Sequence, residues 1–198
     1  IPPGTKIVER QVGKMLDISR APARDALMML EKEGLVISRP DARYVIELTE
    51  RDVNEMHQVR MVLELLAIDL ATQNTNTDNQ NAHLAILRQM EDAAKKRDRT
   101  AFSKADLDGH ALIWKQSDNL HLEKTIRAMI GPIFMFMATA TEYYDWEVTL
   151  ELHREMVQYI NSGDRVAAQE SMKRHMENSR KRAVGIIYTK YQGNQNEE

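Results

Sequence analysis

The stretch ISRAPARDALMMLEKEGLV, Ile18 to Val36, decides how the first part of this chain folds. Arg20 and Arg24 stand four residues apart, one helical turn, so on a helix both guanidinium groups leave from the same face. Ser19 is placed as the N-cap, and Pro22 is tolerated because first-turn amides have no helical acceptor. Ala23, Ala26, Leu27 and Leu30 form the expected inward stripe, and Glu33-Gly34 stops the run.

Working outward, Asp17-Ile18-Ser19 is a tight break. Before it, VERQVGKML (Val8–Leu16) carries Val8, Val12, Met15 and Leu16 at helical spacing, and IPPGT (Ile1–Thr5) reads as a turn. After it, LVISRPDARYVIEL reads as two short strands around Pro40-Asp41-Ala42. Helix, tight turn, helix and β-hairpin is the layout of a winged helix-turn-helix. From Thr49 the texture changes to long amphipathic helices. LTERDVNEMHQVRMVLELLAIDLATQ begins with Thr49 as cap and sets Val53, Met56, Val59, Val62, Leu63, Leu66 and Leu70 on one broad face. The polar run 74–81 ends it, and further helices are expected over 82–97, 99–116, 119–140, 147–161 and 164–190. Asn119 is a candidate cap, and Gly131-Pro132 should bend its helix.

The fold class is therefore mostly α: a winged helix-turn-helix over 1–48, an all-α antiparallel bundle over 49–192 and a flexible tail over 193–198. A chain of 198 residues can bury a sizeable core. The formal charge of −3, from 27 basic and 30 acidic residues, means that any DNA-binding surface must come from local placement. Cysteine is absent, which excludes disulfides and thiolate metal sites and fits a cytoplasmic location. No apolar run approaches the roughly 20 residues of a membrane span.

A helix entering the major groove presents its N-terminal side chains to base edges, and arginine can grip guanine or phosphate with its planar fork. On that reading Arg20 and Arg24 read or clamp DNA, Ala21 permits close approach, Arg10 lies near the same groove, and Arg39 and Arg43 flank the hairpin. Taken alone, two arginines on an exposed face are more often simply solvated; the order of elements around them favours DNA.

PPGTKIVERQVGKMLDISRAPARDALMMLEKEGLV, residues 2–36, resembles the DNA-binding domain of GntR-family bacterial transcription regulators, whose usual run includes LGVSRTPVREAL and EGLV. The resemblance puts Arg10, Arg20 and Arg24 at DNA-contacting positions and Ala21 where a DNA-facing threonine is common. Two departures stand out. The wing-tip glycine is absent, with PDARYV one residue shorter than usual, and the family's first helix, upstream of Pro-Gly, is not in this chain.

A second constellation lies further on. KADLDGHALI places Asp106 and His110 on one helix face, while ELHREM and KRHMEN place His153 and His175 on two helices joined by the Ser162-Gly163-Asp164 turn. Helices joined so tightly run antiparallel, and each histidine lies about ten residues from the turn, so the two meet at similar height. Three imidazoles and a carboxylate suit a divalent cation. Histidines among apolar neighbours are more often packing residues; His57, His83 and His121 are read as structural or surface.

LTERDVNEMHQVRMVLELLAIDLA, DLDGH with SDNLHL, and LHREMVQYINSGDRVAAQESMKRHM resemble the ligand-binding C-terminal domain of the FadR subfamily, over about residues 49–190. Its metal-binding members use an aspartate, a histidine four later and two histidines from the closing helices, which correspond to Asp106, His110, His153 and His175. Gly109 stands where an aromatic is usual. Zinc is the first expectation, with nickel or manganese as alternatives, since ligand type does not decide among them. Arg60 is a candidate partner for an effector carboxylate, its alternative being a solvated or intersubunit salt bridge. Tyr143, Tyr144 and Trp146 are candidate pocket walls, their alternative being core.

These readings converge on a transcription repressor rather than an enzyme. It is expected to act as a two-fold homodimer on a near-palindromic double-stranded operator, under a small carboxylate or sugar-acid effector bound at the metal. Two rivals are weighed. A metal-dependent hydrolase with Asp108 or Glu151 as base lacks an obvious second catalytic group. A helical interaction module would use the histidines only for packing.

Overall fold

Asp17 turns the chain between the first two helices. It adopts a left-handed conformation (φ 53°), and the Ile18 amide donates to the Gly13 carbonyl at 2.9 Å, closing α1 (Glu9–Leu16) tightly before α2 (Arg20–Lys32). The computed structural model describes residues 1–139 and 145–194. Ala23 and Leu27 of α2 are buried and Leu30 partly so, but Ala26 is exposed. Of the expected stripe on α1, Val12 packs against the small core, but Val8, Met15 and Leu16 are largely exposed, and the buried residue is Gly13. A β-carbon at Gly13 would stand 2.8 Å from the Ile18 carbonyl oxygen, so close approach of backbones, not apolar spacing, joins the two helices. Ser19 is the N-cap of α2 by backbone conformation, without a side-chain cap bond.

The hairpin forms as β2 (Val36–Ser38) and β3 (Arg43–Val45), with Val36 opposite Val45 and Ser38 opposite Arg43. A strand not expected from the sequence, β1 (Lys6–Ile7), pairs antiparallel with β3 and gives the order β1-β3-β2. Two residues carry no readable alternation, so only the pairing reveals it. Ile7, Leu27, Val36 and Val45 form the small core of this unit.

The helical part starts at α3 (Glu50–Gln73), where Thr49 and Asp52 exchange side-chain and backbone bonds in a capping box. Then follow α4 (Thr77–Lys96), α5 (Arg99–Gln116), α6 (Leu120–Thr139), α7 (Trp146–Ser162) and α8 (Arg165–Asn194). Helix α4 begins five residues earlier than expected, because Asn76 accepts from the Asn79 amide at 2.9 Å and caps a segment that composition alone marks as loop. Asn119 caps α6 by accepting from the Leu122 amide, and the helical assignment runs on through Pro132. Gly163, left-handed at φ 76°, closes α7, and Asp164 caps α8 through the Ala167 amide. Trp114, Ile68, Ile126, Met156, Ile160, Met172 and Met176 are fully buried between these helices. No helix among the described residues is long and apolar enough to cross a membrane.

Candidate metal centre

Asp106 and His110 leave α5 one turn apart, and His153 and His175 meet them from α7 and α8. All four are buried, and one ligand atom from each lies within 4.8 Å of the others. His110 Nε2 and His175 Nε2 are 3.0 Å apart, His153 Nε2 lies 2.8 Å from Asp106 Oδ1, and His110 Nε2 lies 3.8 Å from it. Neighbouring ligands about 2.1 Å from one ion stand roughly 3 Å apart, so this spacing fits a shared cation. Among the described residues Asp106 Oδ1 and His153 Nε2 are buried with no hydrogen bond outside the quartet, facing only each other, an arrangement that a shared ion would satisfy.

The protonation states suit ligation. Burial opposes charge on Asp106, but the hydrogen bond from His153 and the three facing imidazoles outweigh it and hold the carboxyl well below the usual range. Burial, then the charges of His153 and His110, push His175 towards its neutral form. An ionised carboxylate and a neutral imidazole are the forms a metal needs. His153 Nδ1 sits 2.8 Å from the Thr149 carbonyl, a bond that as a donor leaves Nε2 for the centre.

The sequence pattern alone assigned Glu64 no role. It is completely buried and accepts from Arg60 Nε at 3.0 Å and Trp114 Nε1 at 2.8 Å, with His110 Nδ1 at 3.2 Å. Burial raises its pKa, yet the charges of His110 and Arg60 and the bonds from His110 and Trp114 bring it down to about 2. Glu64 thereby orients the His110 ring. Its spacing four after Arg60 was the available signal. Arg60 is neither solvated nor free for another subunit: it is buried, bonded to Glu64, and lies 3.5 Å from His110 Nε2.

Arg60, Asp106, His110 and His175 line a pocket with Ser103, Ile133, Phe134, Ser179 and Arg182, with about 20 Å³ of free space. Trp146 is not brought to it; it packs edge-on against Phe102 at 5.0 Å and lines a separate surface cleft with Glu91, Leu150 and Arg154. Tyr143 and Tyr144 lie outside the described residues. His83 is buried on Gln116 at 2.7 Å, a packing role, as is the burial of His57.

In the winged unit Arg10 on α1 and Arg20, Ala21 and Arg24 at the start of α2 are exposed. Arg43 is not: it is half-buried, bonding Glu9 at 3.1 Å and Glu31 at 3.3 Å, while the same Glu9 carboxylate takes Arg20 Nε at 2.8 Å. Arg39 lies over the Tyr44 ring at 4.7 Å.

Residues 1–46 match the bacterial regulatory proteins of the gntR family, and residues 55–178 match the FCD domain. The chain belongs to the GntR family, with an FCD domain. Among relatives, the uncharacterized HTH-type regulator YdhC of Bacillus subtilis is 29% identical, over 87% of this chain and 79% of its own length. The gluconate operon transcriptional repressor of Bacillus licheniformis is 26% identical, over 82% and 69%. Among solved structures, E. coli McbR/YncC shares the fold with a TM-score of 0.81 at 20% identity, covering 96% of this chain and 90% of that one. The Zn²⁺-bound FCD domain of TM0439 has a TM-score of 0.60 at 21% identity, covering 72% and 99%. This GntR-family chain is thus a relative of transcription regulators.

Proposed function

We propose that this GntR-family chain is a DNA-binding repressor whose operator affinity is set by a small carboxylate or sugar acid at a divalent metal. The observation that carries it is the buried convergence of Asp106, His110, His153 and His175, with Asp106 Oδ1 and His153 Nε2 facing each other at 2.8 Å. Zinc is the first choice of ion, in keeping with the Zn²⁺-bound FCD domain of TM0439, and the gluconate repressor's name supports a sugar-acid effector. When bound, the ion supplies Lewis-acid attraction for an oxyanion. Arg60, already poised at the pocket wall, adds a fixed cation to orient it.

The division into a reader over 1–48 and a sensor over 49–192 belongs to this proposal, as do a two-fold dimer and a near-palindromic operator; the expected tail from 193 is corrected in that α8 continues to Asn194. Arg10, Arg20, Ala21 and Arg24 face DNA. Arg20 meets Glu9 through Nε alone, which leaves its terminal nitrogens for phosphate, whereas Arg43 is held by both Glu9 and Glu31 and reaches phosphate only by exchanging a carboxylate for it. Effector binding favours one dimer geometry, and a coupling of about 1–3 kcal/mol suffices to change occupancy.

Tag-free protein should carry about one divalent ion per chain, and chelation should lower its melting temperature. No ion and unchanged melting would leave only a packing role for the histidines. Arg20→Ala and Arg24→Ala should each weaken operator binding by about 1–3 kcal/mol. Full affinity in both would remove the DNA assignment of α2. Thermal-shift screening of small carboxylates and sugar acids, with and without metal, tests the effector class.

A further inference from the structure

The pocket and the winged unit share one short segment of α6. Ile133 and Phe134 line the pocket, and Phe134 lies edge-on to the ligand candidate His110 at 6.5 Å, with the Arg60 guanidinium 5.5 Å from its ring centre. Their immediate neighbours face the other way. A β-carbon at Gly131 would lie 3.6 Å from Leu35 Cδ2 and 3.9 Å from the Glu33 carbonyl oxygen. One at Gly34 would lie 3.5 Å from the buried Pro132 ring. Met135 packs against the core of the winged unit, beside Ile7, Leu27, Val36 and Val45.

The free space of about 20 Å³ admits roughly one water, so any organic acid needs a wall to move. The walls differ in how firmly they are held. Helices α3, α5, α7 and α8 meet in one core through Ile68, Trp114, Met156 and Met172, and Arg60 and His110 are tied to Glu64. The first half of α6 joins that core through the buried Leu122, Ile126 and Ile130, whereas Phe134 packs against its edge and is only partly buried. Beyond it, Pro132 has no N–H to donate to the Ala128 carbonyl, which interrupts the helical ladder just before Phe134.

We propose that Phe134 is the residue that reads occupancy of the pocket, and that the 131–135 segment, hinged at Pro132, transmits its displacement to the hairpin of the winged unit. This rests on the pocket being the effector site, but the device itself needs no metal. A ligand that displaces the ring moves Pro132 and Met135 against Gly34, Leu35 and the β2–β3 core. Met135 makes the direct contact with that core, and at the two glycines only about the width of a methyl group separates α6 from the hairpin.

The test needs no identified effector. In the full chain with zinc added, Phe134→Trp overfills the pocket from inside, and hydrogen exchange reads the result. Amides at 33–37 and 43–46 should exchange at least about threefold faster, with α4 and α5 unchanged. In a Met135→Ala background the same substitution should produce a markedly smaller change at those amides. Should the indole prevent folding, Phe134→Tyr applies a smaller load and the same readout decides. Unchanged exchange at the hairpin, or a rise spread evenly through α4 and α5, overturns the proposal. Zinc content is measured in parallel. A chain that transmits but binds no zinc refutes the metal-sensor reading alone, and one that binds zinc but transmits nothing refutes this inference alone.

Discussion

The winged unit and the helical bundle carry their chemistry on opposite sides of their surfaces. In the first, the arginines at the start of α2 point outward, and even apolar side chains such as Met15, Leu16, Met28 and Met29 are largely exposed around a core of a few residues. In the second, the polar groups that matter are inside: Arg60, Glu64, Asp106, His110, His153 and His175 are all buried. A reader of a large polyanion needs accessible cations on a shallow scaffold. The bundle, as the proposed sensor of a small ligand, needs dry, fixed groups whose interactions are not screened by water. The difference predicts that substitutions inside the bundle cost stability, while those on the reader's face cost affinity.

The sharpest way to break that contrast is Glu64→Ala. It leaves the Arg60 cation buried without its carboxylate and frees Trp114 Nε1 and His110 Nδ1. A loss of about 3–5 kcal/mol in denaturant unfolding is expected. A loss below about 1 kcal/mol would show that the pair is hydrated and the bundle interior less dry than its burial implies.

Next comes the pH response. Burial first, then the Arg60 charge, lowers the His57 pKa from 6.5 to about 4, and its Nε2 has no hydrogen bond among the described residues. The unfolded chain therefore takes up this proton between those values and the folded chain does not. Stability falls as pH drops from about 6.5 to 4, by about 3 kcal/mol from this group, and the contribution is level outside that window. His57→Gln should flatten that part of the stability–pH curve relative to wild type. Identical curves would remove the assignment.

Two glycines sharpen the comparison further. Gly13→Ala puts a methyl group 2.8 Å from the Ile18 carbonyl oxygen, where backbone must move, and should destabilise the winged unit by about 1–3 kcal/mol. Gly109→Ala in the bundle meets Ile86 Cγ2 at 3.6 Å and His153 Cδ2 at 4.0 Å, ordinary contacts. Relief of the helical glycine should then stabilise by about 0.5–1 kcal/mol. Thermal melts of both variants check the pair, and equal effects would mean the two helix contacts are alike.

Much of this was legible in the residues. The boundary of texture at Thr49 coincides with a capping box, and caps are local, so Thr49 and Asn119 were readable. The convergence of Asp106, His110, His153 and His175 was readable because a helical turn puts Asp106 beside His110, and a tight turn at Gly163 sets His153 level with His175. Glu64 escaped because its partners Trp114 and His110 come from α5, far along the chain. Trp146 was misplaced for the same reason, its partner being Phe102.

Local order therefore came from the sequence itself: which segments are helical, where they cap, and which side chains share a face, all matters of spacing and of hydrogen bonds a few residues long. Only the tertiary structure decided which faces meet. It made Gly13 rather than Met15 the contact of α1, turned Arg43 towards Glu9 and Glu31, added β1 to the sheet, and laid one face of α6 on the pocket and its neighbours on the hairpin. Those choices depend on close packing between residues distant in sequence, where the fit of surfaces, not the period of a pattern, sets the energy.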